Sequence, residues 1–367
     1  MEMAKKDILI EEDLEITAAT AGAAPVQFPD KISSIFPALV HRNFQLYFLG
    51  QAISLIGFWL HQVAMGWLVF QLTNSAFWVG AVAAIGGLPF LIFTTFAGVF
   101  IDKINKKKLL IWTQILEAIV ALILGLLVFL SIATLPLVLF LVFINGIVAA
   151  IDLPTRLTFI VEMVGKKDLA SAIPINTGLF NAARFIGPAL AGVIIASYGV
   201  AWPFVLNGLS FLAGIWAIIN IKPIYISKAE VDIRPFESLK MGIKYSFTHP
   251  KILYFMILAS VTAVFLWPYQ TLMPLVAEKV FSSGAQGYGS LLSAAGAGSL
   301  VGAIFTSAQA YKKNKGQLVF IGIIISCTGL LLFSLNSNLT IAHILLFIAG
   351  FGMLTQASTL NTLVQLA

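Results

Sequence analysis

Apolar residues fall into ten runs along the chain, each close to the length of a membrane-spanning helix, and short connectors separate them. About 20 residues at 1.5 Å each are needed to cross the roughly 30 Å of hydrocarbon in a bilayer. The pattern therefore predicts an all-α polytopic membrane protein with about ten helices. The runs cover residues 44–70, 76–100, 109–130, 136–154, 172–197, 201–220, 251–276, 287–309, 317–335 and 341–361.

The composition supports this prediction and excludes a water-soluble body. Of the 367 residues, 59% are hydrophobic and only 10% are charged, whereas soluble domains are about one quarter charged. The formal net charge of +6 is for this reason not a nucleic-acid signal. The partners we expect are the lipid bilayer and a small molecule, and no nucleic acid.

The basic residues lie in alternate connectors, which predicts the orientation of the chain. Lysine and arginine concentrate in four of the connectors, while the intervening ones are nearly uncharged. Cytoplasmic loops of membrane proteins carry this excess of basic residues. We expect a multi-pass protein of the cell membrane with a cytoplasmic N-terminus. The cytoplasmic connectors would be 101–108, 155–171, 221–250 and 311–316.

The spacing of the runs also predicts a domain organisation. Residues 1–37 are polar and acid-rich, which indicates a disordered cytoplasmic tail. Residues 38–220 would form a six-helix bundle, 221–250 a cytoplasmic linker, and 251–367 a second bundle with four helices. A plan of six plus six helices predicts about 60 further residues, or two helices, after residue 367.

Two stretches resemble a known transporter family. Gly98, Asp102, Lys103 and the lysines that follow, up to Lys108, resemble the loop between helices 2 and 3 of the major facilitator superfamily. The pattern of acids, amides, glycines and proline across 152–192 is similar to its drug:proton antiporter-3 branch, also called transmembrane secretion effectors. That branch includes macrolide-efflux and siderophore-export proteins. A charged loop after a membrane helix is common, so an ordinary cytoplasmic loop remains an alternative for the first stretch.

The resemblance implies roles for two groups of residues. A base of the loop, matched here by Lys106, would pair with Asp152 at the end of the fourth span and form a cytoplasmic latch. Alternatively, Asp152 caps a helix that opens at Pro154. The fifth span carries a glycine–proline motif typical of antiporters, which suits either a rocking interface or ordinary close packing. The residues of the two groups are Gly98, Asp102, Lys103, Lys106, Asp152 and Arg156 for the latch, and Gly187, Pro188 and Gly192 for the motif.

Ionisable and amide side chains within the apolar runs are candidates for coupling or substrate binding, because such groups are costly in a bilayer. Glu117 would carry a proton or pair with a base. Arg184, near Asn181 on one helix face, would bind an anionic or carbonyl-bearing substrate or make a structural bond. Amides and a histidine recur at helical spacing on the first span and predict a cavity-lining face. The candidates are Gln51, His61, Gln62, Glu117, Asn181 and Arg184.

These features together predict a function. The sequence contains no ATP-binding motif and no metal-ligand spacing, so we expect no cofactor and no enzymatic activity. Energy would come from an ion gradient or from the substrate's own gradient. We predict a secondary active transporter, functioning as a monomer, that exports hydrophobic or amphipathic small molecules by proton antiport and alternating access. The alternative is a lysophospholipid transporter or flippase of the same fold.

Overall fold

The computed structural model describes residues 36–101, 104–222, 235–309 and 314–366. Within these ranges the regular structure is entirely helical, with a short 3₁₀ helix at Pro37–Val40. The α-helices are α1 (Arg42–Thr73), α2 (Ala76–Ile101), α3 (Lys106–Phe129), α4 (Leu135–Tyr198), α5 (Ala201–Asn220), α6 (Pro235–Thr248), α7 (Pro250–Leu266), α8 (Tyr269–Lys279), α9 (Gly284–Ala308), α10 (Lys315–Ser334) and α11 (Leu339–Leu366).

The fourth and fifth predicted spans belong to one 64-residue helix, α4, that breaks only at Gly165. Gly165 has φ 71° and ψ 172°, a backbone conformation open to glycine because it has no Cβ. The predicted connector 155–171 is therefore helical on both sides of a single bent residue. Each arm of α4 is long enough to cross a bilayer. Nine helical stretches of the described chain are apolar and long enough to cross a bilayer. Because α4 contributes two crossings, these stretches account for the ten predicted crossings.

Two other segments refine the prediction. The seventh span divides into α7 and α8 at Trp267 and Pro268. The predicted linker contains a 14-residue helix, α6, that we did not predict. Its apolar residues recur at spacings of three and four, at Phe236, Leu239, Ile243 and Phe247, as one face of a helix requires.

Most of the predicted tail lies outside the described residues, and so do Asp102 and Lys103 of the predicted latch. Gly98 lies near the C-terminal end of α2. The division into two bundles remains a proposal. For description, we call α1 to α5 the N-terminal group and α7 to α11 the C-terminal group.

Hydrogen bonds bring the lysine-bearing helix ends of the N-terminal group together. Lys107 at the start of α3 donates to the carbonyl oxygens of Ile219 and Ile221 at the end of α5, at 2.7 and 2.6 Å. Asn43 at the start of α1 donates to the carbonyl of Lys222 at 2.6 Å. We call this end of the molecule the basic side and the opposite end the neutral side.

The apolar core is distributed unequally between these sides. On the neutral side, one cluster combines both groups and includes Leu68, Leu124 and Phe204 together with Met273 and Leu291. On the basic side, the buried residues of the second cluster all come from the 3₁₀ helix, the N-terminal group and Ile221 next to it. Burial of apolar surface therefore joins the two groups on the neutral side.

Candidate functional site

A cavity of about 520 Å³ lies between the two groups of helices. Residues of α1, α2, α3, α4, α8 and α9 line it, and most of them are apolar or small. No lysine, arginine, aspartate or glutamate is among these lining residues. A concave, mostly apolar site with a few polar groups is the usual form of a small-molecule site. Its polar members are His61, Gln62, Asn145, Gln270, Thr271 and Tyr288.

The predicted polar face of the first span is divided between two environments. His61 and Gln62 line the cavity, together with Phe58. The Nδ1 atom of His61 accepts a hydrogen bond from Asn207 Nδ2 at 3.2 Å, which leaves Nε2 as the proton-bearing atom of the neutral ring. Gln51 lies outside the cavity lining and is buried near the basic side, where its amide oxygen accepts from Arg156.

Asp152 and Arg156 form the centre of a buried polar cluster. Both lie in α4, four residues apart, and the guanidinium donates two hydrogen bonds to Asp152 Oδ2, at 2.9 and 2.5 Å. Thr113 of α3 donates to Asp152 Oδ1 at 2.7 Å. Glu117, one helical turn further along α3, interacts electrostatically with both members of the pair. Glu117 thus shares the electrostatic environment of the Asp152–Arg156 pair.

The ion pairs differ from those expected for the latch. Lys106 pairs with Glu162 at 2.9 Å, and Asp152 pairs with Arg156 instead of a loop lysine. Asp152 also lies inside α4 and not at a helix start, so its side chain is not an N-cap. Both differences arise because α4 continues through Pro154 instead of beginning there. Glu162, further along the same helix, therefore lies within reach of Lys106.

Arg184 lies in the second arm of α4, 7% exposed, between two indole rings. Its Cζ atom is 5.6 Å from the ring centroid of Trp59 and 5.0 Å from that of Trp267. The hydroxyl of Tyr269 also interacts electrostatically with the guanidinium. Asn181, expected to share this face, donates to the carbonyl of Thr177 at 2.9 Å. Arg184 is thus held by aromatic groups of α1 and the α7–α8 segment.

The glycine–proline motif lies where α4 meets α1 and α9. A Cβ atom at Gly192 would approach the backbone of α9 to 2.9 Å at Ala285 and 3.1 Å at Gly289. Gly187 packs against Trp59 of α1, and Pro188 places its carbonyl against Gly289. These contacts require small residues, and they lie on the neutral side.

Three residues at these sites were not singled out as candidates from the sequence. Trp59 and Asn145 line the cavity, and Glu162 is the partner of Lys106. Asn145 is an amide in an otherwise apolar run, so the polar residue itself was an available signal. Trp59 and Glu162 contact residues of helices that are distant in sequence. The periodicity of a single helix does not indicate such contacts.

In the described part of the chain, ten helical crossings around a cavity lined without charged residues define a polytopic membrane protein. A family model described as transmembrane secretion effector matches residues 33–367. The chain therefore belongs to the transmembrane secretion effector family.

Curated relatives of this chain are named as transporters. It is 25% identical over 70% of its length to the staphyloferrin A transporter of Staphylococcus aureus, and the match spans 64% of that protein. It is 27% identical over 84% of its length to a Bacillus subtilis protein named as a bacilysin exporter, covering 77% of it. The enterobactin exporter of Escherichia coli is 24% identical over 87% of the chain and 76% of its own length.

Solved structures with the same fold are major facilitator transporters. A bacterial homologue of the human lysosomal transporter Spinster, in an inward-facing conformation, gives a TM-score of 0.62 at 16% identity, covering 92% of this chain and 76% of the other. The nucleoside transporter NupG gives 0.66 at 13% identity, covering 86% and 81%. These similarities establish the fold.

Proposed function

We propose that this protein is a secondary active exporter of hydrophobic or amphipathic small molecules in the plasma membrane. The cavity carries this proposal: it has a small-molecule volume, apolar walls and six dispersed polar groups without fixed charge. Such a lining holds a substrate by apolar contact and a few hydrogen bonds. The curated relatives are named as exporters or transporters of small molecules, and these names also support the proposed export function.

The lysophospholipid alternative ranks second. A lipid transporter is expected to place basic residues at headgroup depth, where they would neutralise phosphate. The lining of the cavity contains neither lysine nor arginine, and Arg184 is the basic residue found beside it. This composition favours a substrate smaller and less charged than a phospholipid.

Proton antiport is the proposed energy source, with Glu117 as the proton carrier. Asp152 already holds Arg156 through two hydrogen bonds, and Glu117 is a second carboxyl group that interacts electrostatically with this pair. Among the described residues, Glu117 forms no ion pair within 4 Å. A carboxyl group in this position can exchange a proton without breaking the Asp152–Arg156 pair.

The substitution Glu117→Gln tests this proposal. In everted vesicles holding the full chain, a pH gradient should drive uptake of the fluorescent amphiphile dansyl-leucinamide, because everted vesicles reverse export. We expect the variant to lose this gradient-driven uptake and to keep downhill exchange of the same probe. Glu278→Gln, which changes an exposed acid of α8, is the matched control and should behave like the wild type.

Two results would contradict the proposal at different levels. Full gradient dependence in the Glu117→Gln variant would assign Glu117 a structural role. Uptake by the wild type that ignores the pH gradient would exclude proton antiport altogether.

The proposed direction of transport follows from the proposed orientation. If the basic side is cytoplasmic, the shared apolar core closes the molecule on the outer side. The conformation described here is then inward-facing, ready to take up substrate from the cytoplasm or the inner leaflet.

A further inference from the structure

We propose that Arg184, together with Trp59 and Gln270, forms a subsite for a single carboxylate group on the exported molecule. This inference rests on the proposed export function and adds a substrate class to it, namely amphipathic molecules with one negative charge. The subsite would lie at the wall of the cavity where α1, α4 and α8 meet.

The side chains around Arg184 supply hydrogen-bond donors in excess of acceptors. A guanidinium has five N–H donors and no acceptor. The hydroxyl of Tyr269 interacts electrostatically with it, and that oxygen already accepts a hydrogen bond from Gln270 Nε2 at 3.4 Å. The indole N–H of Trp59 is buried and has no partner among the described residues. An acceptor-rich group is what this environment lacks.

The charge of Arg184 is likewise uncompensated within the described chain. No aspartate or glutamate there lies within 4 Å of its guanidinium, although the residue is only 7% exposed. The faces of Trp59 and Trp267 attract the cation but accept none of its in-plane N–H bonds. A buried charge without a partner is costly, so an entering anion gains more here than in water.

The position of Arg184 connects it to the cavity. Trp59, whose ring lies against Arg184, lines the cavity, and so does Gln270, which donates to the neighbouring Tyr269. Phe180, one helical turn before Arg184, also lines it and packs on the Trp59 ring with centroids 5.6 Å apart. A ligand with its apolar body in the cavity would thus place a terminal carboxylate toward Arg184. One guanidinium neutralises one such charge, which selects monoanions.

Binding of a matched pair of probes tests this inference. Dansyl-leucine carries a carboxylate, and dansyl-leucinamide has nearly the same size without the charge. Fluorescence titration of the purified full chain in lipid nanodiscs gives the two dissociation constants. We expect dansyl-leucine to bind about tenfold more tightly than dansyl-leucinamide, because a charge-assisted hydrogen bond contributes free energy of that order. In the Arg184→Gln variant the ratio should fall to about one, with the amide bound as in the wild type.

Two further variants keep the test decisive. Arg184→Lys retains the charge and should keep part of the preference, so it replaces the glutamine variant if that one does not fold. Lys279→Gln removes an exposed positive charge of α8 and should leave the ratio unchanged.

Several outcomes would overturn the inference. The inference fails if the Arg184→Gln variant still binds dansyl-leucine more tightly, or if its affinity for both probes falls equally. Either result would show that Arg184 does not recognise the carboxylate. Equal binding of both probes by the wild type would remove the subsite and leave the export proposal standing. Binding of neither probe would remove both. Displacement of dansyl-leucine by lysophosphatidylglycerol at far lower concentration than by unlabelled probe analogues would assign the anion site to lipid.

Discussion

At the scale of single residues, two buried ion pairs near the basic side connect three helices of the N-terminal group. Lys106 reaches from α3 to Glu162 of α4, and Arg156 joins Asp152 to Gln51 of α1. Removing one member of such a pair leaves the other buried and uncompensated, which costs more than the pair itself contributes. The pairs therefore constrain how the helix ends on the basic side can pack.

Asp152→Asn is expected to destabilise the protein by about 3 kcal/mol, because Arg156 would lose its carboxylate partner while it stays buried. Thermal unfolding of the purified protein in detergent, followed by tryptophan fluorescence, measures the change. The double variant Asp152→Asn with Arg156→Gln should recover part of the loss. A single variant as stable as the wild type, or a double variant with the two losses simply added, would contradict this account.

At the scale of helices, the close contact between the second arm of α4 and α9 holds the two groups together on the neutral side. Gly192 and Gly289 face each other there, and Ser293 of α9 donates to the carbonyl of Phe185 at 2.7 Å. Small residues let the two backbones approach. This contact would have to separate in any conformation that opens the neutral side.

Gly289→Ala tests the role of this contact. The added Cβ would lie 2.7 Å from the Cα atom of Gly192, so the helices must move apart at a cost of about 1–3 kcal/mol. We expect faster thiol labelling of a cysteine placed at the buried Ala285. Gly80→Ala adds a Cβ with no neighbour within 4 Å and should leave labelling unchanged. Unaltered labelling in Gly289→Ala would show that the interface tolerates the methyl group.

The sequence predicted these helices well, because bilayer thickness imposes a length and a composition that are visible in every run. It also indicated the ionisable residues Glu117 and Arg184 within these helices. The partners of the buried charges could not be predicted, because Trp59 and Trp267 reach Arg184, and Glu162 reaches Lys106, through packing between helices distant in sequence. The continuity of α4 was not predicted, because the polar residues near Gly165 are equally compatible with a loop and with a helix.

At the scale of the whole molecule, the distribution of the apolar core predicts that the conformation described here opens on one side only. Both groups contribute to the cluster on the neutral side, whereas buried residues of the N-terminal group and of the segments at its two ends make up the cluster on the basic side. Under the proposed mechanism, such a molecule would alternate access by exchanging which side is closed, as transporters built from two helix groups do. The biological direction then depends on which side faces the cytoplasm.

Thiol labelling determines that orientation directly. The single cysteine, Cys327, would first be replaced by serine, and single cysteines would then be placed at Lys108 and at Ser337, both exposed. Lys108 lies at the start of α3 on the basic side, and Ser337 lies in the connector between α10 and α11. Because basic connectors stay in the cytoplasm, a membrane-impermeant maleimide added to intact cells should label the cysteine at position 337 and leave position 108 unlabelled until the cells are opened. The reverse pattern would show that the molecule has the opposite orientation in the membrane. The cavity would then open to the outside in the conformation described here, and the proposed inward-facing state would be wrong.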